Sequence, residues 1–161
     1  MKNLERYLND HISGSAAALS LLETLAKTDT ADAEFHLGLR KEIDQNRATL
    51  LKLLDSAGFH RSRWQERMAT VASTAGQMRL RWQGLSPGHS GLMEALEVLE
   101  LGIHGQLLLW RCLKETGPAL GLWEDTDFES LITSAESQKI RVEARRMIAA
   151  KRAFTQGFKA A

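Results

Sequence analysis

The stretch SGLMEALEVLELGIHGQLLLWRCLKET, residues 90–116, decides the fold of this chain. Its large apolar side chains recur at steps of three and four residues, which is the spacing of one apolar stripe on an α-helix. They are Leu92, Leu96, Leu99, Ile103, Leu107, Trp110 and Leu113. Polar and very small residues, including Gly102, His104 and Gly105, interrupt the middle of this helix. We interpret Gly102 and Gly105 as a close crossing with a neighbouring helix rather than as a ligand-binding feature.

The same spacing predicts three more long helices and a shorter one. The predicted helices cover residues 4–27, 31–57, 63–82, 90–116 and 127–154, within a single domain of residues 1–161. Leu22, Leu99, Ile103 and Trp110 lie on the apolar stripes and are predicted core residues. The predicted helix caps are Asn3, Asp29 or Thr30, and Thr126 with Glu129, and the predicted stops are Gly58 and Gly117–Pro118.

Composition supports an all-α class. The 161 residues include only two prolines, and no stretch alternates apolar with polar residues as a half-buried strand would. The single cysteine, Cys112, excludes an internal disulfide and a four-cysteine zinc site. The charged start MKNLERYLNDH is not a signal peptide, and no apolar run approaches the roughly 20 residues of a membrane span. We expect a cytoplasmic protein.

Connection lengths predict how the helices are arranged. The turns near residues 29 and 121 are short, so each joins two antiparallel helices. The connection between the second and third long helices is long, so these two should run parallel. A four-helix bundle with one long connection is the plan of ferritin-like folds. The fold predicted here is therefore an all-α, ferritin-like four-helix bundle with a shorter crossover helix.

A polar layer should cross the middle of this bundle. Counting outward from the two short turns brings eight polar residues to within about two helical turns of one height. They are His11, Ser15, Glu42, Asn46, Glu100, His104, Gln106 and Gln138. A buried amide or imidazole without a partner costs about 1–3 kcal/mol, so we expect these groups to meet one another. The hypothesis is one hydrogen-bonded cluster without a catalytic metal.

Two segments, YLNDHISGSAAALSLLE at residues 7–23 and LELGIHGQLLLW at residues 99–110, resemble small uncharacterised bacterial proteins of ferritin-like shape. Di-iron members of that superfamily carry a Glu on each of two helices and Glu-x-x-His on each of the other two. This chain contains no Glu-x-x-His, although Glu100 and His104 lie four residues apart on one helical face. The resemblance therefore implies the bundle, while most of the di-iron ligand set is missing.

The hypothesis favoured by the sequence is a non-catalytic bundle that acts through protein interaction or small-ligand binding. No catalytic residue, metal ligand or cofactor is assigned, and the partner is an unidentified protein or small molecule. The alternative is a divergent one- or two-metal protein, for metal binding or oxidoreduction, using His11, Glu42, Glu100 and His104. The sequence does not fix the oligomeric state.

Basic residues are concentrated in two segments, residues 61–81 and 139–159. The first, with Arg and Trp at both ends, could bind an anionic membrane or nucleic acid, but the formal charge of the whole chain is only +1. We interpret both as solvated faces whose arginine stems cover apolar surface, so neither nucleic acid nor membrane is an expected partner.

Overall fold

Four α-helices make up the part of the chain that the structure, a computed structural model, describes: residues 1–61 and 89–155. They are α1 (Lys2–Thr28), α2 (Ala33–Ser56), α3 (His89–Leu120) and α4 (Phe128–Thr155), with a short 3-10 turn, Thr30–Asp32, between α1 and α2. These residues contain no strand, which confirms the all-α four-helix prediction. The predicted crossover helix at 63–82 lies outside the described residues, as does the chain after residue 155.

The core consists of two apolar clusters, one toward each end of the bundle. The first joins the beginnings of α1 and α4 to the ends of α2 and α3, as Leu8, Phe128, Leu54 and Trp110 show. The second joins the opposite ends, with Leu22, Leu39, Leu99 and Ala149 among its members. The order of these contacts makes α3 antiparallel to α1 and parallel to α2, as predicted. The four predicted core residues, Leu22, Leu99, Ile103 and Trp110, are each at most 2% exposed, which confirms them.

Glycines in the left-handed conformation end α2 and α3. Gly58 has φ +68°, and the amide of Phe59 donates to the carbonyl of Leu54, so the predicted stop at Gly58 is correct. The predicted stop at Gly117–Pro118 is wrong, because α3 continues to Leu120 with Pro118 inside it.

The true end of α3 is Gly121, with φ +64°. The amide of Leu122 donates to the carbonyl of Gly117 at 3.0 Å, and the amide of Gly121 to that of Pro118 at 3.1 Å. These two bonds are a Schellman motif, which satisfies the last carbonyls of the helix.

The predicted N-caps also differ from the structure. Helix α1 begins one residue before Asn3, and the residue preceding α2 is Asp32, which forms no capping bond. At α4 the carboxylate of Asp127, rather than the hydroxyl of Thr126, accepts a bond from the amide of Ser130 at 3.0 Å. A carboxylate there satisfies a free donor and also faces the positive end of the helix dipole.

The turn between α3 and α4 is fixed to the end of α2 by Trp123. Its indole N–H donates to the carbonyl of Leu53 at 2.8 Å, and its backbone adopts φ 61°, which is rare for a bulky residue. Among the described residues, no helix is long and apolar enough to cross a membrane.

Candidate functional site

A cleft of about 460 Å³ opens between α1, α2 and α3. Most of its wall is apolar and includes Ile43, Leu50, Ile103 and Leu109. The polar side chains that line it are Tyr7, Asp10, His11, Ser15, Arg47 and Gln106. Three of the eight predicted layer residues, His11, Ser15 and Gln106, therefore share one cavity. Its volume falls within the range of about 300–1,000 Å³ that is typical of small-molecule sites.

Missing side chains on α1 and α3 create the cleft. A Cβ atom added at Gly14 or Gly102 would find nothing within 4 Å, and one at Gly105 would only touch the His11 ring, at 3.9 Å. In a close helix crossing, the facing backbones would approach these positions. The crossing predicted at Gly102 and Gly105 is therefore wrong, and these glycines border open space.

His11 and Tyr7 form an aromatic pair at the cleft. Their rings meet edge to face, with centroids 4.7 Å apart and an interplanar angle of 85°. Burial lowers the pKa of His11, and the nearby Asp10 carboxylate only partly opposes this effect. Burial also raises the pKa of Tyr7, and the charge interaction with Cys112 raises it further. Both rings are consequently uncharged at neutral pH.

Hydrogen bonds within the bundle hold two further polar side chains of the cleft, Ser15 and Gln106. The hydroxyl of Ser15 donates to the carbonyl of Ile12 at 2.7 Å. The amide nitrogen of Asn46, a residue that is 6% exposed, donates to the side-chain oxygen of Gln106 at 3.5 Å. Because Gln106 lines the cleft and Asn46 is buried, this bond orients the Gln106 amide from behind.

A second polar group joins α2 to α4. Gln138 is fully buried, and its amide donates to Glu42 at 3.0 Å and to the hydroxyl of Ser134 at 3.4 Å. Arg141 donates to both carboxylate oxygens of Glu42, at 3.0 and 2.5 Å. Burial by itself would raise the pKa of Glu42, but the bonds from Arg141 and Gln138 outweigh it and lower the pKa overall.

Glu100 and His104 are the remaining members of the predicted layer. Glu100 faces α4, where Arg146 lies 3.5 Å and Lys139 4.0 Å from its carboxylate. Burial and the adjacent Glu143 carboxyl raise the pKa of Glu100 despite these two cations. The Nδ1 atom of His104 is buried and has no hydrogen-bond partner among the described residues.

Within residues 1–61 and 89–155, two hydrogen bonds join members of the predicted layer: Asn46 with Gln106, and Gln138 with Glu42. The four candidate metal ligands are not brought together. Glu42 bonds to α4, Glu100 faces Arg146, and His11 lines the cleft. In the same part of the chain, no three His, Cys, Asp or Glu side chains form a group that could hold a metal ion.

Sequence reasoning missed a buried polar pair near the α1–α2 turn. His36 is fully buried, and its Nε2 lies 2.9 Å from a carboxylate oxygen of Asp29. The signal was present, because position 36 precedes Leu39 by three residues and continues the buried series through Ile43 and Asn46.

The basic face of α4 is also more enclosed than predicted. Arg145 lies over the ring of Phe35, with the guanidinium carbon 3.4 Å from the ring centre, and its Nε is 3.8 Å from Asp32. Arg141 and Arg146 pair with acidic residues as well. These arginines connect α4 to the rest of the bundle rather than forming a free cationic surface. The other basic segment, residues 62–81, lies outside the described residues.

Comparisons of the chain with protein-family models, with curated protein sequences and with solved structures found no match.

Proposed function

We propose that this protein is a non-catalytic helical bundle of ferritin-like shape that binds a small, uncharged organic molecule in the cleft between α1, α2 and α3. The parallel course of α2 and α3 supports the ferritin-like shape, because it requires one long connection between two helical hairpins. Pockets between the helices of a bundle are also where such folds hold ligands.

The observation that carries the proposal is the open space beside Gly14 and Gly102. A glycine in a helix interior is less stable than alanine by about 0.5–1 kcal/mol. Here an added Cβ would meet nothing within 4 Å, so helix stability favours a side chain that the sequence lacks at two positions lining the cleft. A ligand in this space would make the contacts that the missing side chains do not make. At about 30 Å³ per water-sized group, the 460 Å³ cleft holds on the order of 15 non-hydrogen atoms.

The chemistry of the lining supports a ligand without net charge, because the two charged side chains that line the cleft, Asp10 and Arg47, are of opposite sign. Ile43, Ile103 and Leu109 provide apolar contact, and the aromatic edges of Tyr7 and His11 favour a ring. His11 and Tyr7 are themselves uncharged at neutral pH and can donate or accept hydrogen bonds. Gln106 adds an amide held in place by Asn46, so a heteroaromatic molecule with one or two polar atoms matches the site.

Amide NMR spectra of the full chain titrated with indole, and then with other uncharged aromatic fragments, test this proposal. The probes should shift the amide signals of Gly14, Gly102 and Gly105, which line the cleft. Gly102→Leu should abolish these shifts by filling the space. Gly38→Leu is the matched control, because Gly38 is also helical with nothing within 4 Å but does not line the cleft.

Two outcomes contradict the proposal. In the first, no uncharged fragment shifts the cleft signals. In the second, the shifts persist unchanged in Gly102→Leu. Metal analysis of protein purified without chelators tests the alternative hypothesis of a metal protein, and near-stoichiometric iron, manganese or zinc would support that alternative instead.

A further inference from the structure

Five of the seven large apolar side chains exposed on α3 and α4 follow one regular spacing. On α4 they are Ile140, Met147 and Phe154, which are 71%, 53% and 67% exposed. On α3 they are Leu101 and Leu108, which are 67% and 47% exposed. Within each helix these residues are seven positions apart, the spacing of a helix–helix contact seam. We call these five residues the outer stripe.

Both parts of the outer stripe lie along the α3–α4 seam. Residues three or four positions apart share a helix face. Leu101, Leu108, Ile140 and Met147 each have a charged residue three or four positions away that interacts with the other helix. Glu97 and Arg111 are these neighbours on α3, and Glu136 and Glu143 are those on α4. The stripe therefore forms one surface that crosses from α3 to α4.

Two arginines beside the stripe are paired within the chain. Arg111 pairs with Glu136 and Arg146 with Glu143, each at 2.6 Å. An identical surface could approach without like-charge repulsion from these residues, because each positive group is balanced by an adjacent negative one.

The exposed area is close to that of a protein interface. Half of a large side chain is on the order of 100 Å², so the five residues present roughly 500 Å². The largest apolar patch of a typical monomer is about 300–600 Å² and is often functional. A standard interface buries roughly 800 Å² per partner, so flanking side chains must supply the remaining roughly 300 Å². Met147, Ile148 and Phe154 form an open, almost entirely apolar surface on which side chains of a partner can lie.

We propose that a second copy of this chain covers the outer stripe, with the two α4 helices antiparallel about a two-fold axis at Met147. This arrangement places Ile140 opposite Phe154 of the second copy, because both lie seven residues from Met147. It also places exposed Lys151 opposite Glu143 of the second copy, since each is four residues from the axis. Residues at equal distances before and after Met147 on α4 can thus face each other across the antiparallel pair, as a two-fold interface requires.

Sedimentation equilibrium of the full chain tests the proposal, with circular dichroism to verify folding. The wild-type protein should have twice its 18.0 kDa chain mass at micromolar concentration. Met147→Glu places two like charges at the axis and should weaken dimerisation at least tenfold at unchanged helicity. Leu37→Glu is the control, because Leu37 is 55% exposed on α2, outside the stripe, and this variant should remain dimeric.

A cysteine at the axis provides a second measurement. In a Cys112→Ser background, Met147→Cys should form a disulfide-linked dimer on mild oxidation, whereas Leu37→Cys should not. A wild-type protein that stays monomeric overturns the proposal. The outer stripe would then be a surface for residues 62–88 or for a different protein. A dimer that is unaffected by Met147→Glu, or that cross-links equally at position 37, also overturns it.

Discussion

Replacement of Gly117 by alanine should destabilise the protein, although alanine is the better helix former by about 1 kcal/mol. The added Cβ would lie 2.9 Å from the carbonyl oxygen of Leu122, which is backbone and part of the motif that ends α3. To relieve that contact, Leu122 must move away and weaken the bonds to Gly117 and Pro118. Two hydrogen bonds at about 1 kcal/mol each, with local strain of about 1–2 kcal/mol, cost about 3–4 kcal/mol. Subtracting the gain in helix propensity of about 1 kcal/mol leaves a net loss of about 2–3 kcal/mol.

Urea unfolding followed by circular dichroism measures this loss, with Gly102→Ala as the control. Gly102 lies in the same helix, but its added Cβ would touch nothing within 4 Å, so Gly102→Ala should stabilise by about 0.5–1 kcal/mol. The two substitutions are chemically identical and should have opposite signs. Equal stabilisation by both would refute the reasoning, because it would mean that the end of α3 can shift at no cost.

Three further outcomes are expected. Leu99→Ala, at a site 1% exposed, should cost about 2–5 kcal/mol in chemical unfolding; a loss near zero would mean that the core was wrongly assigned. Glu42→Gln should cost about 1 kcal/mol at neutral pH, since solvent screens its partly exposed pair with Arg141; the difference should begin to shrink as the pH falls below 4.5 and should vanish only below the lowered pKa of the carboxyl in the folded protein. Because burial lowers the pKa of His11 below 6.5, the unfolded chain binds the proton more readily there, so wild-type stability should fall as pH drops below 6.5. His11→Gln should lessen that fall, and parallel pH profiles would contradict the assignment.

The helices and their order could be predicted because the apolar spacing is regular and the turns are short. Helix ends were less accurate, because Gly117–Pro118 and Gly121 are competing stop signals four residues apart. The choice between them depends on which glycine adopts a left-handed conformation, and the local sequence does not specify that. At the start of α4, the predicted cap Thr126 is adjacent to Asp127, whose carboxylate caps the helix instead.

The sequence predicted some of the buried polar residues, but not which residues they would bond to. Spacing along each helix identified Asn46 and Gln138 as polar interruptions of apolar stripes, and both are buried. Their bonds to Gln106 and Glu42 depend on helix rotation and distance, which a single sequence does not fix. For the same reason, the glycines of α3 suggested a close crossing where the structure has a cleft.

The pairing of the helices has a consequence for folding kinetics. α1 with α2, and α3 with α4, are joined by short turns, so each hairpin can close with little loss of chain entropy. Both core clusters draw on all four helices, so they form only when the hairpins dock across the long connection between α2 and α3. Hairpin formation should therefore be fast, and docking should set the folding rate. Lengthening that connection should slow folding while leaving the unfolding rate nearly unchanged.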